Sequence, residues 1–352
     1  MSTKKWLRAT WLPGALLLAL LIAVALRYGE SQRFADLIRR AEPIWLAVAG
    51  ILQIATYFCT ALIFKFGLRR TGHDVRMRSL VPLGLMKLFI DQVVPTGGVG
   101  GTVLIVRALQ RRGVPVGVST AVVVVSLLGF YMAYAFGVAI CLVILWMRSH
   151  LSRAILTLVT IISLITAVIP VTLVWLTRGG TYNVPHWIRR LGALRPVLEA
   201  IEKAPRETLH NRRLHAVAAV LQFAIFLLDA ATLRAMFLAL GVNVDVQTVF
   251  ASFMLASIVA TVSLLPGGVG PFEAGSVGTL RLLRAPFEAS VAATLLLRGF
   301  TLWLPMLPGL WLARREMAKE SKDQNGEGSE SDEKEKEASV SGPRRTRTYP
   351  NR

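Results

Sequence analysis

Residues 266–273 read PGGVGPFE, a stretch rich in residues that interrupt helices. It follows the apolar run FMLASIVATVSLL (253–265) and precedes another long apolar segment. Proline removes a backbone donor and glycine destabilises a helix interior, so helical structure should break here. Glu273 then lies in the first turn of the outgoing helix, where a carboxylate favours the helix dipole. The stretch predicts a broken helix with a charged group at the break.

The chain around this break has the composition of a polytopic membrane protein. Of its 352 residues, 54% are hydrophobic and only 17% are charged, against about 25% charged in ordinary soluble domains. An apolar run of roughly 18 residues is enough to span a bilayer. Six segments meet this length, and we interpret the first as an uncleaved span: about 9–26, 43–66, 117–146, 154–176, 214–240 and 286–313.

Two further apolar regions, 80–111 and 248–284, are interrupted by Pro and Gly and predict re-entrant hairpins. The expected fold is therefore an all-α polytopic membrane protein of about six spanning helices plus two re-entrant hairpins. Residues 1–314 form the predicted membrane domain, with a basic cytoplasmic linker at 177–213. The tail, 315–352, has almost no apolar residues and is predicted to be a disordered cytoplasmic segment.

The net charge of +19 resides in the membrane domain, because the nine basic and nine acidic residues of the tail cancel. Cytoplasmic loops of membrane proteins carry an excess of Lys and Arg. The basic segments 65–78, 107–112 and 177–213 therefore place both termini in the cytoplasm. Such segments contact anionic lipid head groups, so the predicted partners are membrane lipids and not nucleic acid.

The break at 266–273 has a partner, since residues 95–102 read PTGGVGGT. Aligning the two GGVG motifs gives an offset of 170 residues. Further matches fall in register at offsets of 169 or 170: Leu52-Gln53 with Leu221-Gln222, Lys65 with Arg234, Gly72 with Gly241, and Gly129-Phe130 with Gly299-Phe300. The halves, about 9–146 and 154–313, each contain three crossings and a hairpin, so the second half should be inverted.

The two glycine clusters are candidate head-group sites. Glycines can leave backbone N–H groups open at a hairpin tip, and a helix N-terminus favours an anion such as phosphate. Alternatively, the glycines only permit a tight turn and close helix packing. The candidate substrate-binding residues are Pro95, Gly97, Gly98, Gly100, Arg107, Pro266, Gly267, Gly268, Gly270, Glu273 and Arg298.

Charged residues inside the apolar segments need partners, because an isolated charge in a membrane is costly. We expect Glu273 to pair with Arg298 and either to brace the hairpin or to form part of a head-group site. Lys87 and Asp91 lie four residues apart, which suits a structural pair or an ion or proton relay. Asp229 and Arg234 are weaker candidates of the same type.

Signatures of catalysis and metal binding are not visible in the sequence. Cys59 and Cys141 lie in apolar runs, and the five histidines show no metal-binding spacing. There is no Walker loop and no Ser–His–Asp signature. We therefore expect a protein that is not an enzyme and that uses no cofactor or metal.

Three stretches resemble a known family: VVPTGGVGGTVLIVRALQRRGVP (93–115), LLPGGVGPFEAGSVGTL (264–280) and ASVAATLLLRGFTLWLPMLPGLWLARRE (289–316). They are similar to the transmembrane region of lysylphosphatidylglycerol synthases and to stand-alone flippase-like relatives, including a hopanoid-associated branch. Many relatives have Glu and Arg after the first glycine cluster, where this chain has Thr102 and Ile105.

The resemblance implies translocation of a polar-headed lipid or lipid-linked glycan in a bacterial cytoplasmic (inner) membrane, through a cavity between the two hairpins. Only the predicted tail follows residue 315, so the synthase activity itself is not expected here. Two alternatives remain. The protein could be an accessory or enzyme that works with lipid-, hopanoid- or envelope-biosynthesis proteins, or it could be an ion-coupled transporter of a small solute.

Overall fold

The computed structural model describes residues 41–93, 102–147, 157, 160, 211–263, 265–303 and 308. The chain divides into two units, Met1–Gly309 and Leu310–Arg352, and every described residue lies in the first. The predicted first span and tail lie outside the described residues, as does the linker up to residue 210. Of the predicted span 154–176, only the helical residues 157 and 160 are described.

The described residues form helices joined by short turns, as the composition predicts. In chain order the helices are α1 Pro43–Arg70, α2 Met77–Val93, α3 Thr102–Gln110, α4 Val116–Met147, α5 Arg212–Ala239, α6 Val246–Ser263, α7 Pro271–Leu282 and α8 Phe287–Arg298. A 3-10 turn, Pro266–Gly268, joins α6 to α7. Residues Gly299–Trp303 continue α8 as a π-helical turn.

Four of these helices, α1, α4, α5 and α6, are long and apolar enough to cross a membrane. The first three coincide with predicted spans. Helix α6 was predicted as one arm of a hairpin, yet its 18 residues extend about 27 Å, at about 1.5 Å per residue. Helix α8 begins where a span was predicted, but its continuous described part ends at Trp303. The total of six crossings stays a prediction.

The helix bounds recur between the two halves of the chain. The first residues of α1, α2 and α3 each precede those of α5, α6 and α7 by 169 positions. Helices α1 and α5 are both 28 residues long. Gly72 and Gly241, which follow them, have φ values of 79° and 72°. Because these glycines adopt a left-handed conformation at equivalent helix ends, the sequence matches correspond to matching local structure.

The two repeat counterparts α1 and α5 pack against each other in antiparallel directions. The Glu42 N–H, just before α1, donates to the Ala239 carbonyl at the end of α5 over 2.8 Å. Near the other end, Ile63 packs in one apolar cluster with Leu214 and Ala218. Antiparallel packing of equivalent helices is the arrangement that an inverted repeat requires. The inversion of the whole second half stays a prediction.

Small residues set the distance between α4 and α5. A Cβ built on Gly129 would lie 2.7 Å from Ala218 Cβ and 2.8 Å from the Ala218 carbonyl carbon. Phe130, the next residue, packs edge-on against Phe226 of α5 with ring centroids 5.6 Å apart. In membranes, small residues allow such close backbone approach. Gly129 therefore has a packing role that its match to Gly299 does not reveal.

Replacing Gly129 with Ala should destabilise the protein, because the added methyl would meet the backbone of α5. Overpacking of this kind costs about 1–3 kcal/mol, and thermal unfolding in detergent micelles measures it. Gly278→Ala is the matched control, since a Cβ there meets nothing within 4 Å. Equal unfolding temperatures for the two variants would show that the α4–α5 approach is not tight.

Candidate functional site

The turn between α6 and α7 has the broken geometry that its sequence predicts. Gly267, Gly268 and Gly270 have φ values of 64°, 58° and 92°, which side chains disfavour. A Cβ on Gly268 would also lie 2.5 Å from Ala260 Cβ. Glycine is thus required at position 268 both by conformation and by space. We call residues 266–270 the second tip.

Glu273 and Arg298 form the buried ion pair that the sequence predicts. Arg298 Nε donates to Glu273 Oε1 over 2.8 Å, and the two residues are only 4% and 2% exposed, respectively. The Arg298 guanidinium also lies 4.8 Å from the centre of the Phe272 ring, within the range of a cation–π contact. Both charges are therefore compensated inside the protein.

The same pair holds the backbone of the second tip. Arg298 Nη2 donates to the Gly267 carbonyl, and Glu273 Oε2 accepts the Gly270 N–H over 2.6 Å. Arg298 thus binds one side of the turn, and Glu273 binds the residue that precedes α7. Charge-assisted hydrogen bonds therefore fix both sides of this left-handed turn.

Hydrogen bonds within the protein occupy two of the glycine N–H groups that were expected to bind an anion. The Gly268 N–H donates to the Leu265 carbonyl over 2.9 Å, and the Gly270 N–H is bound to Glu273. The expectation that the tip amides are open to a ligand is therefore wrong for these two. The positive end of α7 already faces the Glu273 carboxylate. An anionic ligand would have to bind beside the pair rather than in its place.

Three hydroxyl groups form a second set of polar contacts, which joins α7 to α6 and α8. The Ser276 hydroxyl lies 2.9 Å from the Thr294 hydroxyl of α8 and 3.2 Å from the Ser252 hydroxyl of α6. All three residues are completely buried. Ser276 follows Glu273 by one turn, and Thr294 precedes Arg298 by one turn. Two polar contacts one turn apart therefore tie the α6–α7 hairpin to α8.

For the first glycine cluster, the structure describes the helices on either side, α2 and α3, but not the glycines themselves. Residues 95, 97, 98 and 100 lie outside the described residues, so their predicted roles stay predictions. Helix α2, which leads to them, contacts the Pro266–Gly268 turn. Lys87 is buried on α2 at 8% exposure and interacts with a neighbouring group. The side chain of Asp91 is not described, and the predicted Lys87–Asp91 pair is therefore untested.

Arg107 lies in the last turn of α3, and its side chain is exposed. This placement is compatible with either predicted role, holding a lipid phosphate or extending to the membrane surface. It does not bring Arg107 into the network of the second tip, whose hydrogen bonds are made by Glu273 and Arg298.

Sequence reasoning missed a polar cluster between α1 and α5. Gln53 Nε2 donates to Asp229 Oδ1 over 2.9 Å and to Thr232 Oγ1 over 3.0 Å. The sequence also offers Arg234 as a candidate beside Asp229, but the described residues contain no ion pair between the two. The only signal in the sequence was the alignment of Gln53 with Gln222. That alignment does not reveal a contact across 176 positions.

Lys65, the repeat counterpart of Arg234, has a different environment. Its ammonium group bonds to Asp74 and to the Val75 carbonyl in the turn after α1. This hydrogen bond and the Lys65 charge hold the pKa of the exposed Asp74 carboxyl below its usual value. Arg234 instead has a buried Nε without a hydrogen-bond acceptor among the described residues.

Within the described ranges, no group of three or more His, Cys, Asp or Glu side chains is placed to hold a metal ion. Three polar features of this part of the chain are candidates for function: the second tip, the Lys87 region of α2, and the Gln53–Asp229–Thr232 cluster. Each of them involves at least one residue within a long apolar helix or at its end.

Comparison with known proteins gives a consistent result. Residues 11–309 match the family described as the lysylphosphatidylglycerol synthase TM region. A UPF0104 membrane protein of Methanothermobacter thermautotrophicus is 22% identical over 315 residues, which cover 83% of this chain and 92% of the relative. One from Methanocaldococcus jannaschii is 21% identical over 323 residues, covering 85% and 94%. One from Archaeoglobus fulgidus is 28% identical over 110 residues, covering 31% and 33%.

Removing one member of the buried pair should cost more stability than removing both. Arg298→Leu leaves the Glu273 charge uncompensated, at an expected cost of about 3–5 kcal/mol. The double variant Glu273→Gln/Arg298→Leu should recover part of this loss. Thermal unfolding of the wild type, the single variants and the double variant gives the coupling energy.

The exposed Lys65–Asp74 pair provides the control for this cycle. Its members are 22% and 76% exposed, so removing Asp74 should change the unfolding temperature far less than removing Glu273. Strictly additive effects of Glu273→Gln and Arg298→Leu would mean that the two side chains do not stabilise each other.

Proposed function

Because the chain belongs to the lysylphosphatidylglycerol synthase TM-region family and is an integral membrane protein, we propose that it moves a polar-headed lipid or lipid-linked glycan between leaflets. The family description names a synthase of a lipid with a charged head group. This chemistry supports a lipid cargo. The described part of the chain also contains buried charges within apolar helices, which membrane proteins retain chiefly for function.

The observation that carries the proposal is the second tip itself. A broken, glycine-rich backbone within an apolar segment is tolerated only where it is buried in protein or lines a watery cavity. Here the break is buried, braced by Glu273 and Arg298, and contacted by α2. Broken helices that meet near the middle of a membrane protein are a design of transporter binding sites.

We place the head group between α2 and the second tip. Arg298 has one terminal nitrogen, Nη1, without an acceptor among the described residues, while its other nitrogens hold Glu273 and Gly267. An anionic head group can therefore accept from Arg298 while the ion pair stays intact. Lys87 on α2 contributes a second buried positive charge, and the predicted first tip follows the same helix.

The antiparallel α1–α5 contact supports a mechanism by which the site alternates between leaflets. In an inverted repeat, rocking one half against the other opens the same site first to one side and then to the other. The acyl chains would stay in the bilayer while only the head group crosses through the cavity. Arg107, exposed at the end of α3, would attract anionic head groups near the entrance.

The test is a leaflet-resolved lipid assay with purified protein in liposomes. We expect Gly268→Leu, Glu273→Gln and Arg298→Ala each to slow translocation about tenfold or more, equivalent to ~1.4 kcal/mol. Gly278→Leu is the control, because Gly278 lies on α7 with Glu273 and a Cβ there meets nothing within 4 Å. This variant should keep the wild-type rate. Variants are compared only if their unfolding in detergent is cooperative.

Each alternative function gives its own result in this assay. A wild-type protein that moves no lipid contradicts translocation and favours an accessory role beside lipid-biosynthesis proteins. Uptake of a small solute that depends on a proton or sodium gradient, without lipid movement, favours an ion-coupled solute transporter. Normal lipid movement by folded Arg298→Ala and Gly268→Leu variants would overturn the site but not the function.

A further inference from the structure

We propose that Asp229, hydrogen-bonded to Gln53 where α1 packs against α5, is a proton-binding site, and that its protonation is coupled to the transport cycle. The second part rests on the proposed function, whereas the first part does not. The ligand is a proton, and the binding group is a single carboxyl. The inference comes from the position, hydrogen bonds and charge environment of this side chain.

Asp229 lies well inside an apolar helix. It comes ten residues before Ala239, the last residue of α5, and therefore lies about 15 Å from the nearer helix end, at about 1.5 Å per residue. An ionised carboxylate at such a position is costly unless a cation or several donors compensate it. The neighbours of Asp229 therefore decide whether it can remain charged.

The hydrogen bonds to Asp229 are few for an anion. Gln53 Nε2 donates to Oδ1 over 2.9 Å, and the same amide also donates to the Thr232 hydroxyl. Thr232 in turn donates to the Leu228 carbonyl and has no second proton to offer. An ionised carboxylate has about four lone-pair sites, and among the described residues a single neutral donor serves this one. The negative charge of the carboxylate therefore has too few donors to stabilise it, and binding a proton would neutralise that charge.

Among the described residues, the helices packed against α5 supply no cation to Asp229. Helix α6 contains no ionisable side chain, and the ionisable groups of α4 are Tyr131, Tyr134 and Cys141. On α8, Arg298 binds Glu273, and Glu288 is acidic. From α1, Tyr57 interacts electrostatically with Asp229. The other ionisable groups of α1 and α5 are Cys59, Lys65, Arg69, Arg70, Arg212, Arg213, His215 and Arg234, and none forms an ion pair with Asp229 among the described residues.

The repeat has a neutral residue at the position equivalent to Asp229. At the offset of 169 positions, Gln53 corresponds to Gln222, and both are buried. The counterpart of Asp229 is Thr60, whose hydroxyl donates to the Thr56 carbonyl within its own helix. A neutral residue thus occupies the equivalent place in the other half. The single carboxyl is an asymmetry that a purely structural α1–α5 contact does not require.

Gln53 is suited to both protonation states of the carboxyl. Its NH₂ group can donate to the ionised form, as observed. After rotation of the amide, its carbonyl oxygen can accept from the protonated form. Because Gln53 lies on α1 and Asp229 on α5, this exchange occurs between the helices that pack as antiparallel repeat counterparts. Protonation can therefore influence how the two halves contact each other.

Infrared difference spectroscopy of the full-length protein between acidic and alkaline pH tests proton binding directly. We expect the carbonyl band of a protonated carboxylic acid that is lost in Asp229→Asn and retained in Asp229→Glu. Asp74→Asn is the control, because Asp74 is exposed and paired with Lys65, and it should keep the band. An unchanged band in Asp229→Asn would overturn the proton-binding site.

Liposomes with an imposed pH gradient test the coupling. Wild-type lipid movement should respond to the gradient, and Asp229→Asn should lose the response. Wild-type movement that ignores the gradient overturns the coupling and leaves the proposed function intact. Wild-type protein that moves no lipid overturns the proposed function and the coupling together, while the infrared experiment still decides whether Asp229 binds a proton.

Discussion

The buried contact between Glu273 and Arg298 is the interaction on which the second half of the protein depends. It compensates two charges that an apolar environment would otherwise expel, and it binds the carbonyl of Gly267 and the amide of Gly270. The turn can therefore adopt left-handed conformations at Gly267, Gly268 and Gly270 without leaving those two backbone groups unsatisfied. Without this contact, the turn would lose both its electrostatic compensation and its fixed shape.

The surrounding helices are arranged around that turn. Small residues let α6 and α7 approach closely, since a Cβ on Gly275 would lie 3.1 Å from the Ala256 Cα. The hydroxyls of Ser252, Ser276 and Thr294 connect the same hairpin to α8. Helix α2 reaches the turn from the first half of the chain. The second tip is thus a point at which both halves of the sequence meet.

Much of this arrangement could be predicted from the sequence, because local residue chemistry determines it. Pro and Gly in PGGVGPFE predicted the break, and the cost of isolated charges predicted the Glu273–Arg298 pair. The use of the Gly268 and Gly270 amides could not be predicted, since it depends on the φ values of the turn and on which carboxylate oxygen reaches back. The Gln53–Asp229 contact was also missed, because it joins helices 176 positions apart and nothing in local periodicity encodes it.

The two halves share a backbone arrangement but differ in the positions of their charged residues. We assign the lipid head group to the side of the second tip that faces α2. A photoactivatable anionic lipid, cross-linked to the protein in liposomes and mapped by mass spectrometry, tests this assignment most directly. We expect adducts within 77–93 and 266–273 that an excess of unlabelled lipid displaces. Adducts confined to outward apolar positions such as Ile44 and Ile51 of α1, which are 67% and 66% exposed, would contradict it.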